Sequence, residues 1–202
     1  MSSSIVVTDF DGVIGDSLPL ALEITRNIVD LFDKTAKINS FADYYRLLGK
    51  RSELVNITET ESNALRELYR IMYRHRANEI ALFPKVLEVY SCLTEKPLLV
   101  TSSYADAVRT ALKEDQKCFQ AVYGYESGHK KDILLQLKSK YDLIYVTDSS
   151  RDVAICKEIG VPVIATCWGY DPIENLKKKE PDYLITDLKE LSALLVKCGY
   201  CK

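Results

Sequence analysis

Apolar and polar positions follow two different rhythms along this chain. From Lys96 onward, short apolar runs at 97–101 (PLLVT), 119–123 (FQAVY), 143–147 (LIYVT), 161–166 (VPVIAT) and 183–185 (YLI) read as strands. Helical periods at 105–113, 131–139 and 150–159 separate the first four, and another helix follows at 188–197. Strands apolar on both faces that alternate with helices imply a parallel sheet covered on both sides. An N-terminal run at 5–9 adds a sixth strand.

Between Ser17 and Phe83 the rhythm is helical and no strand is evident. Ser17 is placed to cap a helix with Pro19 in its first turn, and Leu18, Leu22, Thr25, Val29 and Phe32 recur at steps of four and three. A second helix is predicted over 40–48 with Gly49 as its stop, and a third over 61–80. The expected fold class is therefore α/β, a Rossmann-like doubly wound parallel sheet formed by residues 1–16 and 84–202. An all-helical insertion at 17–83 interrupts it after the first strand.

Composition narrows what such a fold is for. The 202 residues are 47% apolar, enough for a core, and the formal net charge of -2 offers no electrostatic footprint for nucleic acid or an anionic membrane. No apolar run reaches the roughly 18 residues of a membrane span, and Met1-Ser-Ser-Ser does not open a signal peptide, so a cytoplasmic protein is expected. The six cysteines, without framework spacing, read as reduced thiols, and the terminal Cys198-Gly-Tyr-Cys201 follows the last helix instead of opening one. The run at 177–180 (KKKE) reads as a solvated loop, and Arg66, Arg70 and Arg74, at steps of four, as a solvated stripe.

Ligands of a doubly wound sheet bind beyond the carboxyl ends of its strands, and three such ends here are polar. They are Asp9-Phe-Asp11-Gly12, Thr101-Ser102-Ser103, and Asp148 with Asp152 four residues later. Carboxylates converging on one edge repel unless a cation compensates, and Mg²⁺ is held by one or two carboxylates, waters and a phosphate oxygen. Asp9 is then an ionised nucleophile able to take a phosphoryl group, and Asp11 an acid for the leaving oxygen and a base for water. Gly12 permits a sharp backbone path, Thr101 supplies a hydroxyl, and backbone N–H groups around Ser102 and Ser103 make an anion site. Lys130, with Lys131 as alternative, is placed to neutralise charge as it develops.

The strings VVTDFDGVIGDS, LLVTSSYADAV, GHKKDIL and YVTDSSRDVAICKEIGVPVIATCWGY together resemble, in order, the four motifs of the haloacid dehalogenase superfamily. The tail GVPVIATCWGY…PDYLITDLKEL is similar to its phosphoglycolate-phosphatase and beta-phosphoglucomutase branch, which carries a helical cap where the insertion falls. The resemblance implies that Asp9, Asp148 and the backbone of Asp11 hold Mg²⁺, with Asp152 supporting the metal or binding it. It also implies that Thr101 and Lys130 hold phosphate, and that a cap loop carrying Lys50 and Arg51 faces the site. The implied activity is hydrolysis of a small phosphorylated metabolite through a phospho-Asp9 intermediate, by a monomer or weak homodimer. A phosphosugar mutase and a catalytically decayed binding protein are the rivals. Two positions depart from the usual motifs: Thr147 stands where glycine is customary, and Lys131 follows Lys130 where proline is common. Trp168, Tyr170, His75 and His129 read as packing or surface residues.

Overall fold

The computed structural model describes residues 3–31 and 58–201. Six parallel strands form one sheet: β1 (Ser4–Thr8), β4 (Leu98–Val100), β5 (Ala121–Tyr123), β6 (Asp142–Thr147), β7 (Val163–Thr166) and β8 (Tyr183–Ile185). Their spatial order is β5-β4-β1-β6-β7-β8. The chain winds outward from β1 through β4 to β5, then crosses back to build β6, β7 and β8 on the other side. The reversal places the carboxyl ends of β4, β1 and β6 side by side, which is where a doubly wound sheet opens its ligand crevice.

Alternation within β1 explains the continuous apolar runs. Val6 joins a core with Leu99, Ile144, Val108 and Leu191 on one face, while Ile5 and Val7 join Val100, Leu134, Tyr145 and Leu176 on the other. Both layers are helical. On the sheet or beside it lie α3 (Val86–Ser91), α4 (Ala105–Leu112), α5 (Lys130–Lys138), α6 (Ser150–Ile159), α7 (Ile173–Lys177) and α8 (Leu188–Lys197). The short helices α3 and α7 are too brief to show a period in sequence.

The insertion carries α1 (Leu18–Leu31) and α2 (Glu59–His75). The period of α1 is as expected but its phase differs, because Leu20, Ala21, Ile24, Thr25, Ile28 and Val29 are buried while Leu22 is only half-buried. Helix α2 begins two residues before the expected start: Thr58 caps it, accepting from Glu61 N at 3.2 Å while Glu61 Oε2 accepts from Thr58 N at 2.7 Å. It ends at His75, with a separate 3₁₀ turn over Ala77–Glu79. The insertion is not wholly helical at its root. There β2 (Gly15–Asp16) pairs antiparallel with β3 (Ala81–Leu82), two-residue strands too short to announce themselves by alternation. The helix expected at 40–48 and its stop at Gly49 lie outside the described residues. All six cysteines are free thiols.

Candidate active site

The nucleophile candidate stands where β1 ends. Asp9 is 5% exposed; its Oδ1 accepts from Phe10 N at 2.8 Å and its Oδ2 from Lys130 Nζ at 2.7 Å. Beyond it the chain folds tightly on itself, with Ile14 N and Gly15 N both donating to Phe10 O at 2.9 Å. Gly12 sits in this turn at φ +73°, and a Cβ there would lie 1.9 Å from Asp148 Oδ2. Glycine is thus demanded twice, by the left-handed backbone and by the approach of the catalytic loop to Asp148.

Asp148 follows β6, and its Oδ2 accepts from Tyr170 N at 2.7 Å. Burial, against the pull of the Tyr170 amide, pushes its carboxyl up to about 7. Asp152, in the first turn of α6, directs Oδ2 to Lys130 Nζ at 2.5 Å, Thr147 Oγ1 at 3.2 Å and Tyr145 Oη at 3.3 Å. Thr147, in place of the customary glycine, therefore supplies a hydroxyl that donates to Asp152, and it accepts from Ser149 N at 3.2 Å. Burial is the largest influence on the Asp152 carboxyl and raises it, but the Lys130 charge together with hydrogen bonds from Lys130, Asp9 and Thr147 holds the group below the ordinary value. Burial likewise pulls Lys130 down, and Asp152 with Asp9 more than reverse this, keeping the ammonium charged.

Three buried carboxylates thus face one buried ammonium. Burial, reinforced by Asp152 and Asp148, drives the Asp9 carboxyl well above its usual range despite Lys130. The charge deficit fits a divalent cation. Asp152 Oδ2 is engaged by Lys130, Thr147 and Tyr145, and both Asp9 oxygens accept hydrogen bonds as well; Asp9 and Asp148 are the candidate hard donors, and the family resemblance adds the Asp11 carbonyl. No group of three or more potential ligating side chains is gathered among the described residues. Two carboxylates and a carbonyl suit Mg²⁺, which keeps waters and substrate oxygens for its remaining positions.

Asp11 has partners of another kind. Its Oδ1 accepts from Ser17 Oγ and from Tyr73 Oη, each at 2.5 Å, and its Oδ2 from Ser103 Oγ at 2.8 Å and Thr101 Oγ1 at 3.4 Å. The partners of Asp9, an ammonium and an amide, can only donate, and so favour the ionised form against the burial that opposes it. The partners of Asp11 are hydroxyls, which donate to a carboxylate and can turn to accept from a carboxylic acid. The two acids are therefore held by partners of different kinds.

Lys131 points away, paired with Glu158 at 2.5 Å on the surface. Ser102 lines the cavity, but the neighbouring amides are already committed: Ser103 N donates to Thr101 Oγ1 at 3.1 Å, and Ala105 N, opening α4, to Glu126 Oε1 at 3.1 Å. The expected amide cradle for an anion is thus partly filled by side chains. Lys50 and Arg51 lie outside the described residues.

A cavity of about 580 Å³ opens over these acids, walled on the cap side by α2. Arg66 and Arg70 line it, so the arginine stripe is not simply solvated: Arg70 lies 4.2 Å over the Tyr125 ring, and Arg74 lies 4.5 Å over Tyr104 and pairs with Asp106. His129 is on the rim. Tyr170 is more than packing. Its hydroxyl accepts from Ser17 N at 2.5 Å and Leu18 N at 3.0 Å and donates to Gly15 O at 2.8 Å, tying the Asp148 loop to the start of the cap. Ser17, Ser103 and Tyr170 stand inside the motif strings, so proximity to the acids was their signal. Tyr73, in the last turn of α2 and outside every motif string, gave none.

Comparison with known proteins agrees with this arrangement. The family model described as haloacid dehalogenase-like hydrolase matches residues 6–166. A Caldanaerobacter subterraneus protein named as a pyrophosphatase, PpaX, is 30% identical over 144 residues, 64% of this chain and 64% of that one. A phosphoglycolate phosphatase of Shigella boydii is 27% identical over 148 residues, 66% of this chain and 59% of the relative. The chain thus spans less than two thirds of the length of these curated relatives. A haloacid dehalogenase-like hydrolase from Streptococcus pneumoniae superposes with a TM-score of 0.78 at 19% identity, covering 96% of this chain and 98% of that one. A hydrolase from Pseudomonas syringae gives 0.76 at 16%, covering 98% and 100%. At such identities the likeness shows the fold. No helix among the described residues is long and apolar enough to cross a membrane.

Proposed function

The chain belongs to the haloacid dehalogenase-like hydrolase family, and on that premise we propose that it is a Mg²⁺-dependent phosphatase acting on a small phosphomonoester through a phosphoryl group carried transiently on Asp9. The observation that carries the reading is the contrast between the donor-only partners of Asp9 and the hydroxyl partners of Asp11. The names of the two curated relatives, a pyrophosphatase and a phosphoglycolate phosphatase, point the same way.

Asp9 attacks phosphorus with its carboxylate while the bond to the leaving oxygen breaks. Asp9, Asp148 and the Asp11 carbonyl would hold Mg²⁺, which would supply positive charge to the transferring group. Lys130, fixed in place by Asp152, holds its charge against Asp9 and the phosphoryl oxygens, and Thr101 adds a hydroxyl donor. Asp11 delivers a proton to the leaving oxygen, then takes one from the water that attacks the phosphoryl group and regenerates Asp9.

The proposal keeps the division into a core of 1–16 and 84–202 and a cap of 17–83. The β2–β3 pairing supports it, because it sets the two crossings of the chain beside each other. The test is a screen of small phosphorylated metabolites with free phosphate as the readout: release that depends on Asp9 supports the reading. Isomerised product without phosphate would replace it with a phosphomutase.

A further inference from the structure

Of the four hydroxyls on Asp11, three come from the core or its junction with the cap, and one comes from the cap helix itself. Tyr73 lies in the last turns of α2, 5% exposed, its ring stacked on Tyr69 with centroids 5.9 Å apart. Its hydroxyl donates to Asp11 Oδ1 at 2.5 Å. Arg70, one turn before it on the same face, and Arg74, next to it in sequence, rest on the core rings Tyr125 and Tyr104. The same stretch of helix that seats the cap on the core therefore carries the phenol that reaches Asp11.

We propose that Tyr73 is a positioning residue for the acid/base: with the cap seated, it fixes Oδ1 of Asp11 so that the carboxyl is turned toward the leaving oxygen. The inference rests on the phosphatase reading above. Oδ1 accepts from Ser17 and Tyr73, and losing the phenol leaves Ser17 there while Ser103 and Thr101 stay on Oδ2, which loosens the carboxyl on the side the cap holds. The chemical step balances without any proton from tyrosine. The Asp11 proton passes to the leaving oxygen as that oxygen takes the electron pair of its breaking bond to phosphorus, and Asp9 forms the new bond. Tyr73 keeps its own proton throughout. Its role is confined to leaving groups that need protonation. An alkoxide needs the acid, whereas p-nitrophenolate departs unaided.

The experiment compares Tyr73→Phe with wild type on an alkyl phosphate and on p-nitrophenyl phosphate, with thermal melting as the check on folding. General acid catalysis is worth about 10²- to 10⁴-fold, and mispositioning forfeits part of it. The expected result is a kcat loss of roughly tenfold to a hundredfold on the alkyl ester and less than about threefold on the aryl ester. Equal losses on both esters, or no loss on either, would overturn the assignment. Should Tyr73→Phe fail to fold, Arg74→Ala, at an exposed position of the same seat, replaces it and must show the same preference for the aryl ester. A wild-type enzyme inert on both esters overturns the phosphatase reading itself, and the inference with it.

Discussion

The Lys130 ammonium stands 2.7 Å from Asp9 Oδ2 although 121 positions separate the two residues. Asp152 holds it from the other side at 2.5 Å, so one buried cation is shared by two buried acids.

Removing that cation is expected to hurt twice. Lys130→Ala strands two carboxylates in a desolvated site, a loss of about 3–5 kcal/mol in folding stability, and lowers kcat by about 10² to 10³ or more. Lys131→Ala breaks only a surface pair worth about 0–1 kcal/mol and leaves turnover within a few-fold. Parallel denaturant melts and phosphate-release assays on the two variants check the contrast. Equal losses would place the working charge elsewhere.

Asp9→Asn is expected to abolish turnover on any substrate the wild type hydrolyses, since the amide cannot attack phosphorus. It removes one charge from a crowded acidic site, so the metal-free variant should melt no lower than the wild type. Retained activity in this variant would end the phospho-Asp9 mechanism.

Gly12→Ala tests the closeness of the catalytic loop to Asp148. The new methyl would clash with the carboxylate, and the φ of +73° is strained for alanine. Together these are expected to cost about 1–3 kcal/mol in stability and most of the activity. A variant with unchanged melting and turnover would mean that the loop relaxes freely.

The raised carboxyl of Asp148 sets a pH dependence. In the metal-free protein its folded value is about 7 against an ordinary 3.8, so the folded state binds more protons than the unfolded one across that window. Its contribution to stability is fully present below pH 3.8 and is lost as pH rises toward 7. Cation binding needs the ionised form, so apparent Mg²⁺ affinity should climb roughly tenfold per pH unit below about 7 and then level off. Calorimetric titrations in two buffers of different ionisation heat should detect proton release at pH 6 and little at pH 8. Proton release that does not change with pH would refute the linkage.

Much of the core was legible in the chain because its strands are apolar on both faces and end on charged or hydroxyl residues. The acids, Thr101 and Lys130 stand in short strings whose chemistry is local. What escaped depends on rotation and distance. Helix α1 carries half-buried Leu18 and Leu22 beside its buried stripe, so the period was plain and the phase was not. Arg66 and Arg70 form a polar stripe whichever way it faces, and only the seating of α2 turned it to the cavity. Tyr73 reads as one more apolar residue of an amphipathic helix until its hydroxyl is seen 2.5 Å from an acid 62 positions earlier.

The ribbon at the root of the insertion has a consequence for how such a protein can change. Gly15 pairs with Leu82 and Asp16 with Ala81, so the chain departs and returns as neighbours in one ladder, about 5 Å apart. To the sheet, everything between those pairs is equivalent to the loop of a hairpin. Its length and content can be exchanged without shifting the register of any core strand. On the proposed reading the insertion is a replaceable module: one transplanted with a phenol at the place of Tyr73 would bring new substrate preferences while Asp9, Lys130 and Asp148 stay where they are.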